Sequence, residues 1–261
     1  MQRWIRFEHS GRPGFGTLED DTITVYEGDM FSSPTPTSRT LTLESVKVLT
    51  PTEPTKMVAL WNNFHALAKK LDMPTPEDPL YLIKTSNSFL ATGETIRRPG
   101  SYGGKVTYEG EIGIVIGKTC REVSEAEAEA HIFGYTCVND VTAAELIHKD
   151  STFPQWVRSK SFDTFGVFGP VVATGIDPTG LTVKTVLNGD VRQDYPLSDM
   201  IFPPARLVGR ISHDMTLYAG DVIACGTSLG VGSMKEPRNT VDIVIDGIGT
   251  LSNVFVQNPL E

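Results

Sequence analysis

The chain has 261 residues, 39% of them hydrophobic and 21% charged, and it carries a formal net charge of −9, a make-up that suits one large domain with a core and a small appendage. No basic stripe is present, which argues against a nucleic-acid or anionic-membrane partner, while lysines local to a pocket still allow a small anionic substrate. The cysteines Cys120, Cys137 and Cys225 form no CxxC pair, so neither a disulfide framework nor a structural zinc is indicated. The start MQRWIRFEH has no apolar signal core and no stretch nears the ~20 apolar residues of a membrane span, so the cytoplasm is the expected compartment.

Along residues 3–31 the segments IRF and TITVY read as short strands, with turns at Gly11–Gly16 and Glu19–Asp21. The run SSPTPTS is a loop, Leu41–Leu49 alternates as a further strand, and PTEPT marks a boundary near residue 53. Residues 1–50 are therefore expected to form a small β-rich domain and residues 54–261 the main one. Met57–Trp61 predicts a strand and NNFHALAKKL a short helix. After the breaker PTPEDP, YLIK predicts a second short strand ending in Lys84.

Tyr108–Gly117, YEGEIGIVIG, predicts a buried strand that opens on two carboxylates, Glu109 and Glu111. Alternate strand residues project from one face, so these two point the same way, while Ile112, Ile114 and Ile116 on one side and Gly113 and Val115 on the other make both faces apolar. Like charges at such a strand mouth are costly unless a cation lies between them; the alternative is a frayed, solvated strand end. Ser124 and Glu127 have capping-box spacing, with a surface helix continuing to His131. YTCVND predicts a strand ending in Asp140, either a third carboxylate or the N-cap of a helix over TAAELIHK. Asn188-Gly189 between Leu181–Leu187 and Val191 onward signals a hairpin, and GDVIACGT, a Gly-rich turn and final strands over Val241–Val256 complete the chain. Strands dominate, helices are few and short, and the order is irregular. A mixed, β-rich roll or distorted barrel is expected rather than a doubly wound sheet.

Four blocks in this order, YLIKTSNSF, YEGEIGIVIG with YTCVNDVTA, RSKSFDTFGVFGP and GDVIACGTSLGVG, resemble the fumarylacetoacetate hydrolase family over about Lys56–Val256. The resemblance implies a β-roll holding one divalent ion, Mg2+ or Mn2+, on Glu109, Glu111 and Asp140. Lys84 and Lys160 match lysines placed around metal and substrate, where they could hold a substrate carboxylate or stabilise an enolate; otherwise they are surface charges on apolar stems. Thr227 resembles a threonine whose loop meets the substrate, the alternative being a plain tight turn. His65 matches the base of a lid segment that activates water, or is a surface histidine without chemistry. The family also implies a homodimer.

Three departures from the family pattern bear on function. Ala68 stands where a glutamate would orient His65, leaving Glu77 or Asp78 as possible replacements. Ala144 stands where an arginine would grip a substrate carboxylate, and Ser228 replaces the proline of the GTP-x-GVG turn. The expected activity is hydrolysis of a carbon–carbon bond in a 2,4-dioxo acid of the acylpyruvate type, with His65 activating water and Lys160 stabilising the departing enolate. The alternatives are a 2-oxo acid decarboxylase or 2-hydroxy-dienedioate isomerase using the same enolate, and a non-catalytic metal-binding module.

Overall fold

The computed structural model describes residues 1–257. Strands β1 (Gln2–His9), β2 (Arg12–Glu19), β3 (Thr22–Glu27) and β4 (Thr35–Thr42) form an antiparallel meander, with β5 (Lys47–Val48) beside β1. The main part then runs β6 (Met57–Trp61), α1 (His65–Lys70), β7 (Leu80–Lys84), β8 (Phe89–Leu90), β9 (Thr95–Arg97), β10 (Val106–Tyr108) and β11 (Gly110–Ile116). Next come α2 (Glu125–Ala128), β12 (Ile132–Asp140), β13 (Thr142–Ala143), α3 (Trp156–Lys160) and β14 (Gly166–Thr174). The hairpin β15 (Thr182–Leu187) and β16 (Asp190–Pro196) precedes α4 (Pro204–Asp214), and β17 (Val222–Ala224), β18 (Gly232–Ser233), β19 (Arg238–Ile245) and β20 (Gly249–Val256) end the described chain.

The large sheet has the order β4-β3-β2-β1-β14-β12-β11-β17-β6-β7, so the N-terminal meander is hydrogen-bonded onto β14 of the main part through β1. A single 3-10 turn, Ser86–Ser88, separates β7 from β8, and β8 pairs in parallel with β14. The sheet therefore curls until its last strand returns to β14. A five-stranded sheet, β16-β15-β19-β20-β9, packs against this roll, and a small sheet, β13-β10-β18, completes the fold. The architecture is the mixed, β-rich roll expected from the strand pattern.

Period-two alternation sorts the roll's side chains into two cores. Val58, Leu60, Ile112, Ile114 and Ile223 face outward and pack with Val183, Ile243, Ile245 and Phe255 of the five-stranded sheet. Their neighbours Met57, Ala59, Val115, Val138, Phe168, Val222 and Ala224 form a second, smaller core. Lys84 on β7 and Asp140 on β12 share that second face and touch across it, which makes it the inside of the roll.

Two elements differ from the sequence-based expectation. The strand expected over Tyr108–Gly117 is interrupted at Glu109, because the Glu109 amide donates to Asn139 Oδ1 (3.1 Å) and its carbonyl accepts from Asp140 (2.9 Å). The halves β10 and β11 therefore join different sheets. In place of a helix over TAAELIHK, Thr142 and Ala143 pair with Thr107 and Val106, and a 3-10 turn, Ala144–Leu146, follows. Strand partners claim backbone groups that a helix would need, overriding the local alanine-rich propensity. Among the described residues no helix is long and apolar enough to cross a membrane.

Candidate active site

The β11/β12 register places Glu111 opposite Val138, so Asp140, two residues on, projects from the same face. Glu109 enters from the break beside it. A carboxylate oxygen from each of Glu109, Glu111 and Asp140 lies within 4.8 Å of the others. The chain passes between the two glutamates at Gly110, where a Cβ would sit 2.1 Å from Thr185 Oγ1. Only glycine lets this strand approach β15 so closely.

Two lysines complete the cluster. Lys84, at the end of β7, pairs with Asp140 Oδ1. Lys160, the last residue of α3, reaches Asp140 Oδ2 at 2.5 Å and Glu109 Oε2 at 2.9 Å. Glu111, Asp140 and Lys84 are 0% exposed and Lys160 is 2% exposed, so solvent screens these four little, while the Glu109 side chain keeps 12% of its surface exposed. With all five ionised, three carboxylates and two ammonium groups leave one net negative charge.

The environment drives the proton affinities apart. Burial pushes Glu111 well above the usual carboxylate range, and the charge of Asp140 adds to this. Glu109 is raised by burial as well, with Lys160 opposing. Asp140 suffers the same burial, but Lys160 and Lys84 together outweigh it and hold it below its ordinary value. Burial lowers Lys84, whereas Lys160, equally buried, is raised because Asp140 and Glu109 both favour its charged form.

The donor set fits a hard dication. Glu111 Oε2 accepts from the Gly226 amide at 2.8 Å, but its Oε1 is buried without a hydrogen-bond partner among the described residues. An orphaned carboxylate oxygen beside two other carboxylates is costly without a cation. All-oxygen ligation suits Mg2+ or Mn2+ rather than a thiophilic metal.

The remaining predicted residues lie in different settings. Thr227 follows β17 on the loop beginning at Gly226, and its hydroxyl donates to Gly110 O (2.9 Å) while accepting from Gln193 Nε2 (2.8 Å). His65 opens α1 with an exposed side chain that makes no hydrogen bond or ion pair among the described residues. Neither candidate replacement reaches it: Asp78 pairs with Arg210 (3.0 Å), and Glu77 is exposed with no ion pair among the described residues. Position 68, alanine here, is buried.

Sequence reasoning missed three supports of the cluster. Asn139 receives the Glu109 amide, Gln193 on β16 receives the Gly110 amide (2.9 Å), and the Tyr195 hydroxyl donates to Gly110 O (2.6 Å). Only Asn139 carried a signal, its place beside Asp140 at a strand end. Gln193 and Tyr195 belong to a hairpin 83 and 85 positions beyond Gly110.

The family model described as fumarylacetoacetate (FAA) hydrolase C-terminal matches residues 56–256, and one described as Rv2993c-like, N-terminal matches residues 2–51. The chain is 37% identical over 224 residues to oxaloacetate tautomerase YisK of Bacillus subtilis (strain 168), covering 81% of this chain and 73% of that protein. The structure of 2-hydroxyhepta-2,4-diene-1,7-dioate isomerase from Mycobacterium marinum superposes with a TM-score of 0.89 at 35% identity, covering 99% of each chain. Maleylpyruvate hydrolase from Sphingobium sp. SYK-6, in complex with manganese(II) and pyruvate, superposes with a TM-score of 0.79 at 25% identity, over 98% of this chain and 99% of that one.

Proposed function

The chain belongs to the fumarylacetoacetate hydrolase family, and from that premise we propose that it is a divalent-metal-dependent enzyme interconverting the keto and enol forms of a small 2-oxo acid. Isomerisation of a 2-hydroxy-dienedioate would draw on the same proton transfer. One observation carries this reading: two buried lysines share one carboxylate cluster, and their surroundings push their proton affinities in opposite directions. Glu109, Glu111 and Asp140 would hold Mg2+ or Mn2+, which supplies Lewis-acid polarisation of the 2-oxo carboxylate end. Lys160 Nζ keeps its proton and places a fixed positive charge beside developing enolate oxygen. Lys84 Nζ, which burial makes readier to part with its proton, carries it to and from the substrate carbon.

Hydrolysis of an acylpyruvate is the second reading, favoured by the retained His65 and by the likeness to maleylpyruvate hydrolase. Against it stands the solitary, exposed imidazole, with Ala68 where an orienting carboxylate would be. A direct test offers the purified protein with Mg2+ or Mn2+ oxaloacetate, a 2-hydroxy-dienedioate and an acylpyruvate in 18O-labelled water. Enol–keto exchange or isomerisation without mass change supports the proposal. Acid products carrying 18O establish hydrolysis instead, and carbon dioxide release points to decarboxylation.

A further inference from the structure

The strand between the two glutamates runs past the end of one of its neighbours. β17 pairs with Gly113, Ile114 and Val115 of β11, and the Cys225 amide still reaches Ile112 O (2.9 Å), but among the described residues β17 does not extend to Gly110. Side chains of the five-stranded sheet take its place. Gln193 Oε1 accepts the Gly110 amide (2.9 Å), and the Tyr195 hydroxyl donates to Gly110 O (2.6 Å). Two residues apart on β16, Gln193 and Tyr195 share one face of that strand. The Gly110 amide belongs to the peptide unit that joins it to Glu109, and the Gly110 carbonyl to the unit that joins it to Glu111. One edge of the second sheet therefore grips both links between the two glutamates.

This matters because the residue so gripped is a glycine. Glycine has the widest backbone freedom, and left to itself it would let Glu109 and Glu111 swing relative to each other. Neither grip has slack. Gln193, 1% exposed, also accepts the Thr185 hydroxyl (2.7 Å) at its oxygen, while its nitrogen donates to Thr227 Oγ1 (2.8 Å) and Leu229 O (3.3 Å). A backbone amide can only donate and a carbonyl can only accept, so this carboxamide has a single orientation. Tyr195 is 5% exposed, and its ring meets Phe64 edge-on with centroids 5.0 Å apart. Burial, aided by the charge of Glu111, holds the phenol's proton affinity well above its ordinary value, so the hydroxyl stays a donor.

We infer that Gln193 and Tyr195 are positioning residues of the metal centre: by fixing both peptide links at Gly110 from the β15–β16 hairpin, they set how Glu109 and Glu111 stand to each other, and with it the affinity and symmetry of the site for its dication. The inference rests on the metal reading above. It makes the second sheet part of the metal site although none of its residues is a ligand.

The test titrates Mn2+ into wild type, Tyr195→Phe and Gln193→Met, reading affinity by calorimetry and the bound ion by electron paramagnetic resonance. Tyr195→Phe is expected to weaken Mn2+ binding about tenfold and Gln193→Met about a hundredfold, the range for removing a partner that orients a metal ligand. Both should alter the zero-field splitting of bound Mn2+, which a loss of stability alone does not move. The control is Ile23→Val, a truncation of a buried side chain on β3, which lowers the melting temperature and leaves affinity and spectrum as in wild type. Should Gln193→Met fail to fold, Tyr195→Phe decides alone. An Mn2+ affinity or a spectrum indistinguishable from wild type in Tyr195→Phe overturns the inference, as does an equal loss of affinity in Ile23→Val. If wild type itself takes up no Mn2+, the metal reading fails and this inference fails with it.

Discussion

The floor of the roll and the start of α1 are built on opposite plans. On the floor, five charged side chains from β7, the β10/β11 break, β12 and α3 are held by one another and by backbone groups, and four of them are almost fully buried. At α1 the backbone is just as firmly fixed: Asp199 Oδ2 accepts the Ala66 amide (2.9 Å), and buried Asn63 bonds the backbone of Phe202 and Cys225. Yet the one imidazole there, His65, projects into solvent and makes no hydrogen bond or ion pair among the described residues. Electrostatic stabilisation of an enolate depends on preorganised charge, which the floor has; activation of water depends on an oriented base, which α1 lacks. The contrast is the physical ground for preferring enolate chemistry without water.

The sharpest way to break this contrast is at its centre. Asp140→Asn leaves Lys84 and Lys160 buried with much of their counter-charge gone. Turnover should fall at least about a thousandfold, and the protein should lose about 3–5 kcal/mol of stability in chemical denaturation, the range for breaking a buried pair. Lys160→Met removes the fixed positive charge and should lower kcat about a hundred- to a thousandfold, measured as enol–keto exchange. A loss of less than about threefold would show that this ammonium does not face the reacting oxygen.

Glu111 sharpens the same comparison through stability. Its folded-state proton affinity is raised by burial, so native-state protonation is favoured and stability falls as pH climbs from the ordinary carboxylate range through the raised folded value. Asp140 has the opposite sign: it contributes stability above the unfolded-state value, lost as pH falls through its lowered one. Glu111→Gln should therefore raise the melting temperature of metal-free enzyme by a few degrees at pH 7 while abolishing Mg2+ binding in calorimetry. The smallest effect is expected from His65→Ala: keto–enol exchange within about threefold of wild type and unchanged metal affinity. A drop beyond about a hundredfold would make His65 the base and return hydrolysis to first place.

Several elements were legible because their signals are local. Ile112, Ile114 and Ile116 against Gly113 and Val115 announced a strand covered on both faces, and these residues divide between the two cores in that way. Asn188-Gly189, with φ of 53° and 87°, forms the hairpin turn its composition demands. Ser124 and Glu127 form the capping box their spacing announced. By contrast α4, the longest helix among the described residues, has no clear local signal because its opening PPARLVGR combines two prolines with a glycine. Its Leu207, Val208 and Ile211 are buried, so packing decides it, with Pro204 tolerated in the first turn.

The sequence by itself determined the local geometry: strand faces, turns, caps, and the presence of Glu109, Glu111, Asp140, Lys84 and Lys160 at or near element ends. Only the tertiary structure decided that these five converge, that their charged neighbours set the equally buried Lys84 and Lys160 apart, and that Gln193 commits the Thr227 hydroxyl to Gly110 O. Periodicity and turn chemistry act over a few neighbouring residues. Proton affinities and hydrogen-bond saturation depend on everything within a few ångströms, which the curled sheet gathers from positions more than a hundred residues apart.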